Sequence, residues 1–141
     1  MKILVAYFSA EKGRTAAVAN VIAEQLKADL RWINPFARCN KEKMGKKEVP
    51  VAGKVENFSD YDTVFLGFPI WYGCAPNVVN TFCQAYDWSG KKIFLFATSG
   101  GGGMGKSAEK LEPYVKGAEI AGEKLVKKPE DVKTWLETVL T

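Results

Sequence analysis

Three short apolar blocks constrain the fold of this chain more than any other feature. Residues 3–8, 64–68 and 93–97 carry almost only apolar side chains and are followed by Ser9, Pro69 and Thr98, respectively. Each block is too short for an ordinary helix and lacks the alternation of a half-exposed strand. Continuous apolar runs of this length are typical of strands that are buried on both faces of a parallel sheet. The blocks therefore predict the central strands of such a sheet.

Helical patterns separate these blocks. Apolar side chains recur with the spacing of one helix face in three segments, namely Val18, Ile22 and Leu26, then Val79, Phe82, Cys83 and Tyr86, and finally Val132, Trp135, Leu136 and Val139. Pro129 suits the first turn of the last helix. A weaker strand is predicted at residues 29–33, a short one before the last helix, and a long loop at residues 34–57. This alternation predicts one α/β domain, residues 1–141, with a doubly wound sheet.

Composition and charge exclude several classes of protein. The chain is 47% apolar and 26% charged, as in ordinary globular proteins. No apolar stretch approaches the ~20 residues of a membrane span, and the first apolar run ends at Phe8 without a signal-peptide cleavage site. The net charge of +4 comes without the interleaving of basic and aromatic residues seen in nucleic-acid surfaces. We expect neither a membrane nor a nucleic acid as partner.

The cysteines indicate a reducing compartment. Cys39, Cys74 and Cys83 are odd in number and widely spaced, and the chain has no histidine with which they could share a metal. They are interpreted as free thiols in the cytoplasm, and no metal site is expected.

The loop after the first strand has the features of a phosphate site. Residues 9–15 stand directly before a predicted helix, whose first N–H groups and partial positive charge favour an anion. Ser9 and Thr15 add hydroxyl groups, and Gly13 permits close approach of the backbone. Lys12 or Arg14 can neutralise negative charge. An ordinary turn with Thr15 as the helix cap is the alternative.

The loop after the next central strand contains two adjacent large aromatic residues. Trp71 and Tyr72 lie between Pro69 and Pro76, where both side chains cannot face the core. A flat aromatic ligand explains them, because offset stacking stabilises both rings. A small hydrophobic cluster beneath the loop is the alternative.

The glycine run at residues 100–103 follows the last apolar block. Consecutive glycines indicate that backbone closes on a ligand. Gly100 and Gly105 also fit the G-x-x-x-x-G-K-S phosphate loop and the G-x-G-x-x-G dinucleotide pattern. No apolar strand ending in a magnesium-binding aspartate accompanies the first pattern, and no second dinucleotide half follows the other. Both matches are interpreted as accidental.

These motifs together resemble the flavodoxin-like family, in particular its short members that bind flavin mononucleotide (FMN). The matching segments are residues 3–9, 13–15, 61–73, 75–76, 89–92 and 98–102. The resemblance implies a three-layer sandwich whose five-stranded parallel sheet has the order 2-1-3-4-5. It implies phosphate contacts from Ser9, Lys12, Gly13, Arg14 and Thr15. It implies isoalloxazine contacts from Pro69, Ile70, Trp71, Tyr72 and Gly73, and from Thr98, Ser99, Gly100, Gly101 and Gly102.

The resemblance implies a flavoprotein that transfers electrons to a redox partner protein or a small acceptor. An FMN-dependent quinone reductase that uses NAD(P)H is the first alternative, although no nicotinamide motif and no histidine proton donor is present. A flavin-free binding module is the second, because the first loop is one residue longer than the family's S-x-T-G-x-T and has Lys12 in place of a threonine. No catalytic residue is assigned.

Overall fold

The structure is a computed structural model. It describes residues 2–9, 14–35, 51–52, 55, 57–70, 77–98, 107–128 and 130–139. The strands are β1 (Ile3–Tyr7), β2 (Asp29–Trp32), β3 (Asn34–Pro35), β4 (Val51–Ala52), β5 (Thr63–Pro69), β6 (Lys92–Thr98) and β7 (Glu119–Leu125). The helices are α1 (Arg14–Leu26), α2 (Asn77–Gln84), α3 (Ser107–Leu111) and α4 (Asp131–Val139), with 3₁₀ turns at Phe58–Asp60 and Glu112–Tyr114.

The main sheet has five parallel strands in the order β2-β1-β5-β6-β7. Counted along the chain, these are strands 2-1-3-4-5, so the predicted topology is confirmed. The three apolar blocks form β1, β5 and β6 in the middle of the sheet. Their position between two other strands and two helical layers explains why they lack alternation.

Helices cover both faces of the sheet. On one face, Val18 and Ile22 of α1 and Val132 of α4 pack with Val5 and Phe65 in one buried cluster. On the other face, side chains of α2 and α3, including Phe82 and Leu111, join a second buried cluster with sheet residues such as Leu66. The predicted three-layer α/β sandwich is therefore confirmed, and it places the loops after β1, β5 and β6 at a common edge.

The second predicted helix ends two residues before the end of its apolar stripe. The stripe runs to Tyr86, but α2 ends at Gln84. The indole Nε1 of Trp88 donates to the carbonyl oxygen of Cys83 at 2.7 Å. This bond gives a carbonyl near the helix end a partner, whereas in a longer helix the same carbonyl would accept from the next turn. Tyr86 lies beyond the end of the helix, and its ring packs on Phe58 with a centroid distance of 4.3 Å.

The predicted loop at residues 34–57 contains regular structure. β3 pairs antiparallel with β4, where Asn34 lies opposite Ala52. Two-residue strands carry no detectable sequence pattern, since pairing of this length depends on the surrounding tertiary structure. Most of this segment, including the basic residues 38–50, lies outside the described residues.

Cys83 is buried and forms no disulfide, as predicted for that thiol. Desolvation raises its pKa above the ordinary value, which keeps the thiol protonated and unreactive. Cys39 and Cys74 lie outside the described residues. Among the helices that the structure describes, none is long and apolar enough to cross a membrane.

Tyr61 connects the segment before β5 to the edge strand β2, because its hydroxyl donates to Asp29 Oδ2 at 2.5 Å. We predict that Tyr61→Phe lowers the free energy of unfolding by about 1 kcal/mol at neutral pH. Desolvation, and then the bond to Asp29, raise the pKa of Tyr61 above its usual 10.0. The stabilisation is therefore complete below about pH 10 and is lost as the pH rises through the folded-state pKa.

Urea unfolding between pH 7 and pH 12 measures both effects. The parent protein should lose stability more steeply above pH 10 than Tyr61→Phe, since the variant lacks this ionisation. Equal stability at pH 7, together with an equal alkaline slope, would contradict the stabilising role of the Tyr61–Asp29 bond.

Candidate functional site

The carboxyl ends of β1, β5 and β6 meet at one rim of the sheet. Tyr7 lies opposite Gly67, and Pro69 lies opposite Thr98. Hydrogen bonds continue the ladders past the strand ends, from the Phe8 N–H to the Gly67 carbonyl at 2.9 Å and from the Ile70 N–H to the Thr98 carbonyl at 2.8 Å. The three loops that follow these strands therefore start side by side.

A hydroxyl pair joins the start of α1 to the end of β6. Thr15 Oγ1 and Thr98 Oγ1 are 2.8 Å apart although the residues are separated by 83 positions. Their exposed fractions are 2% and 5%, so both hydroxyls are withdrawn from water. Buried polar groups need such partners, because an unpaired hydroxyl costs about 1–3 kcal/mol. The pair therefore holds the N-terminal end of α1 against the carboxyl end of β6, where the third loop begins.

The N-terminus of α1 points its first amides at this rim. α1 begins at Arg14, and its first turn carries no acidic side chain. Ser9 Oγ accepts from the Ala16 N–H at 3.4 Å, a long hydrogen bond that only weakly satisfies this amide. The partial positive charge of the helix end is thus left without a carboxylate in the first turn, which favours an external anion.

The structure brings together those predicted site residues that it describes. The side chains of Ser9, Thr15 and Thr98 and the backbone of Arg14 lie at the rim around α1. Pro69 is the last residue of β5, and Ile70 follows it directly. The other predicted contacts lie outside the described residues and stay predictions, namely Lys12, Gly13, Trp71, Tyr72, Gly73, Ser99, Gly100, Gly101 and Gly102.

Thr15 and Thr98 belong to separate predicted loops, and the sequence does not predict the contact between them. A hydroxyl residue at the end of an otherwise apolar block is the available signal for Thr98. It marks where β6 leaves the core, but the partner is set by the fold. In the part of the chain that the structure describes, no group of histidine, cysteine, aspartate or glutamate side chains is arranged to hold a metal.

Comparison with known proteins gives the family. The sequence model of the flavodoxin family matches residues 2–139. A protein from Bacteroides eggerthii DSM 20697, provisionally named a flavoprotein, is 31% identical and has a TM-score of 0.83, with 99% of this chain and 98% of that chain covered. A similarly named protein from Bacteroides uniformis ATCC 8492 is 30% identical and has a TM-score of 0.86, with 96% and 97% covered.

A more distant structure carries a cofactor. The flavoprotein from Lactobacillus acidophilus NCFM, solved in complex with FMN, is 18% identical and has a TM-score of 0.74, with 95% of this chain and 97% of that chain covered. At this identity the likeness shows the fold alone. No curated protein sequence matches the chain. The match over nearly its whole length, together with the five-stranded sheet, shows that the chain belongs to the flavodoxin family.

Proposed function

We propose that this protein binds FMN at the rim formed by β1, β5 and β6 and transfers electrons through it. The contact between Thr15 and Thr98 carries the proposal, because it joins the first turn of α1, which follows the predicted phosphate loop, to the end of β6, which precedes the glycine run. A nucleotide-sized ligand with an anionic end and a flat ring needs that adjacency. Family membership and the FMN complex of the Lactobacillus flavoprotein support the choice of flavin.

The described residues fit the phosphate end of such a cofactor. The α1 N-terminus has no acid in its first turn, and two buried hydroxyls stand beside it. Amide and hydroxyl donors of this kind stabilise phosphate oxygens. We assign Ser9, Thr15 and the backbone of Arg14 to the phosphate, with Lys12 and Gly13 completing the loop.

The ring end is assigned to the two loops that begin at Pro69 and Thr98. FMN, when bound, supplies the electron-transfer chemistry, and the protein supplies binding and orientation. The backbone bond from Ile70 to Thr98 holds the starts of these two loops side by side, as contacts from both loops to one flat ring require. We assign Trp71 or Tyr72 to stacking, and backbone of residues 99–102 to the polar edge of the ring.

We favour a carrier over a quinone reductase, since the chain contains no histidine to donate a proton and no nicotinamide-binding motif. The proposed partner is a redox protein or a small electron acceptor in the cytoplasm. Stopped-flow mixing of the reduced protein with a one-electron acceptor should give rapid oxidation. Steady-state consumption of NADPH with a quinone, by the FMN-loaded protein alone, would instead support the reductase.

Titration with FMN tests the binding proposal. We expect quenching of flavin fluorescence and a perturbed visible spectrum on addition of FMN to the apoprotein, with saturation at one FMN per chain. Adenosine triphosphate serves as the control, because it has more phosphate charge but no isoalloxazine ring. Saturable binding of adenosine triphosphate without a response to FMN would overturn the proposal.

The stacking assignment predicts that Trp71→Ala weakens FMN binding about tenfold, since aromatic stacking adds about 0.5–1.5 kcal/mol to the burial of the ring. Trp135→Phe is the control, because Trp135 packs edge-on against Phe65 in the core, with ring centroids 5.7 Å apart, and belongs to α4. This variant should retain the parent's affinity for FMN. Unchanged affinity in Trp71→Ala would remove Trp71 from the site.

A further inference from the structure

Among the residues that the structure describes, the hydroxyl pair of Thr15 and Thr98 has one hydrogen more than it uses. Each threonine carries one O–H, and a single hydrogen lies between Thr15 Oγ1 and Thr98 Oγ1. The second hydroxyl hydrogen has no acceptor among the residues that the structure describes. Because the side chains are 2% and 5% exposed, bulk water is a poor partner for it.

The direction of the bond decides which threonine keeps the free hydrogen. If Thr15 donates to Thr98, the hydroxyl hydrogen nearest the α1 N-terminus is engaged within the protein and is not available to a ligand. If Thr98 donates to Thr15, the hydrogen of Thr15 can turn toward an anion at the helix end. A fully ionised phosphate only accepts hydrogen bonds. Both hydroxyl hydrogens therefore find an acceptor when Thr98 donates to Thr15 and Thr15 donates to the phosphate.

We infer that Thr98 is a positioning residue for phosphate, which donates its hydroxyl to Thr15 so that Thr15 donates to a phosphate oxygen of the ligand. This inference rests on the proposed function and adds a specific role to a residue at the ring end of the site. Hydrogen bonds in such a chain polarise one another and strengthen when the last acceptor is charged. Thr98 thereby makes the site selective for a phosphorylated flavin over riboflavin.

The backbone of Thr98 makes a separate contact, which does not depend on its hydroxyl group. Its carbonyl oxygen accepts from the Ile70 N–H at 2.8 Å, and this bond does not involve the hydroxyl. Thr98→Val therefore removes the donor while keeping the branched shape and the backbone contact. An effect on the ring loop and an effect on phosphate are thus separable by experiment.

The test compares FMN with riboflavin, which lacks the phosphate. Thr98→Val should raise the Kd for FMN about tenfold, as expected for loss of a hydrogen bond that supports a charged contact, and should change the Kd for riboflavin less than about twofold. Thr98→Ser restores the hydroxyl and should return the FMN affinity to within about threefold of the parent.

Thr63→Val is the matched control. Thr63 is also a buried threonine of the central sheet, 4% exposed, but it lies at the amino end of β5, and its hydroxyl donates to Asp62 Oδ1 at 3.1 Å. The Thr63→Val variant should change the stability of the protein without changing the ratio of its FMN affinity to its riboflavin affinity. Melting curves of the three apo variants separate folding defects from binding defects.

A double-mutant cycle distinguishes this positioning role of Thr98 from a purely structural role. Once Thr15→Val has removed the receiving hydroxyl, adding Thr98→Val should cost no further FMN affinity. Independent losses from the two substitutions would overturn the inference, and so would equal losses for FMN and riboflavin in Thr98→Val. If the parent protein binds no FMN at all, the proposed function fails and this inference fails with it.

Discussion

Replacing Lys91 with methionine is expected to lower the free energy of unfolding by about 3 kcal/mol. Lys91 is 6% exposed, and its Nζ donates to the carbonyl oxygens of Phe58, at 3.2 Å, and Tyr61. The same Nζ lies 4.8 Å from the centroid of the Phe58 ring. Methionine keeps most of the apolar stem but leaves both carbonyls without this donor. The 3₁₀ turn Phe58–Asp60 then loses its connection to the start of β6.

Lys92 provides the control, since it is the same residue type at the next position but is exposed at the first residue of β6. Lys92→Met removes the same charge and should change the unfolding free energy by less than about 0.5 kcal/mol. Equilibrium unfolding in urea measures both variants. Similar losses in the two would show that charge, and not the buried contacts of Lys91, determines the result.

Adding a single methyl group at Gly67 is expected to destabilise the protein by about 3 kcal/mol. A Cβ at this position would lie 2.1 Å from Cε2 and Cζ of the Phe96 ring on the neighbouring strand. Phe96 has no exposed surface, so its ring has little room to turn aside. The Gly67 carbonyl also accepts from the Phe8 N–H, where the first loop begins. Gly67→Ala should therefore weaken flavin binding as well.

The double variant Gly67→Ala/Phe96→Leu tests whether the ring is the obstacle. The smaller leucine side chain should make room for the methyl group, so the double variant should lose less than the sum of the two single losses. Gly90→Ala is the contrasting control, because a Cβ there meets no atom within 4 Å but the backbone has φ +77°. Its cost should be about 1 kcal/mol from the backbone alone. Strictly additive losses at Gly67 and Phe96 would contradict the steric explanation.

The fold could be predicted because its determinants are local. The three central strands are continuous apolar blocks, and the helices between them have clear stripes, so the order of elements follows from the sequence. The position of the candidate site is an expectation from topology, since loops after parallel strands share one edge. Thr15 is predicted as a site residue from its hydroxyl group at the start of a helix, and Pro69 and Thr98 from the resemblance to the flavodoxin-like family. All three lie at one rim.

Contacts between distant segments could not be predicted in this way. Nothing in the sequence distinguishes Lys91 from Lys92, because the carbonyl of Tyr61 that receives Lys91 belongs to a segment 30 residues earlier. The partner of Thr98 is 83 positions away. The apolar periodicity continues to Tyr86, and it carries no sign of the bond from Trp88 to the carbonyl of Cys83 at the end of α2. In each case, a side chain meets a backbone or hydroxyl group that only the folded chain brings near.

The most direct test of a flavin site at this rim is an NMR titration of the ¹⁵N-labelled protein with FMN. We predict that the amide signals of Thr15, Ala16, Ile70 and Thr98 shift and saturate together. The amides of Thr63 and Lys92, at the opposite ends of the same strands, should stay in place. Shifts confined to the Thr63 and Lys92 edge, or no saturable shift at any amide, would contradict the account.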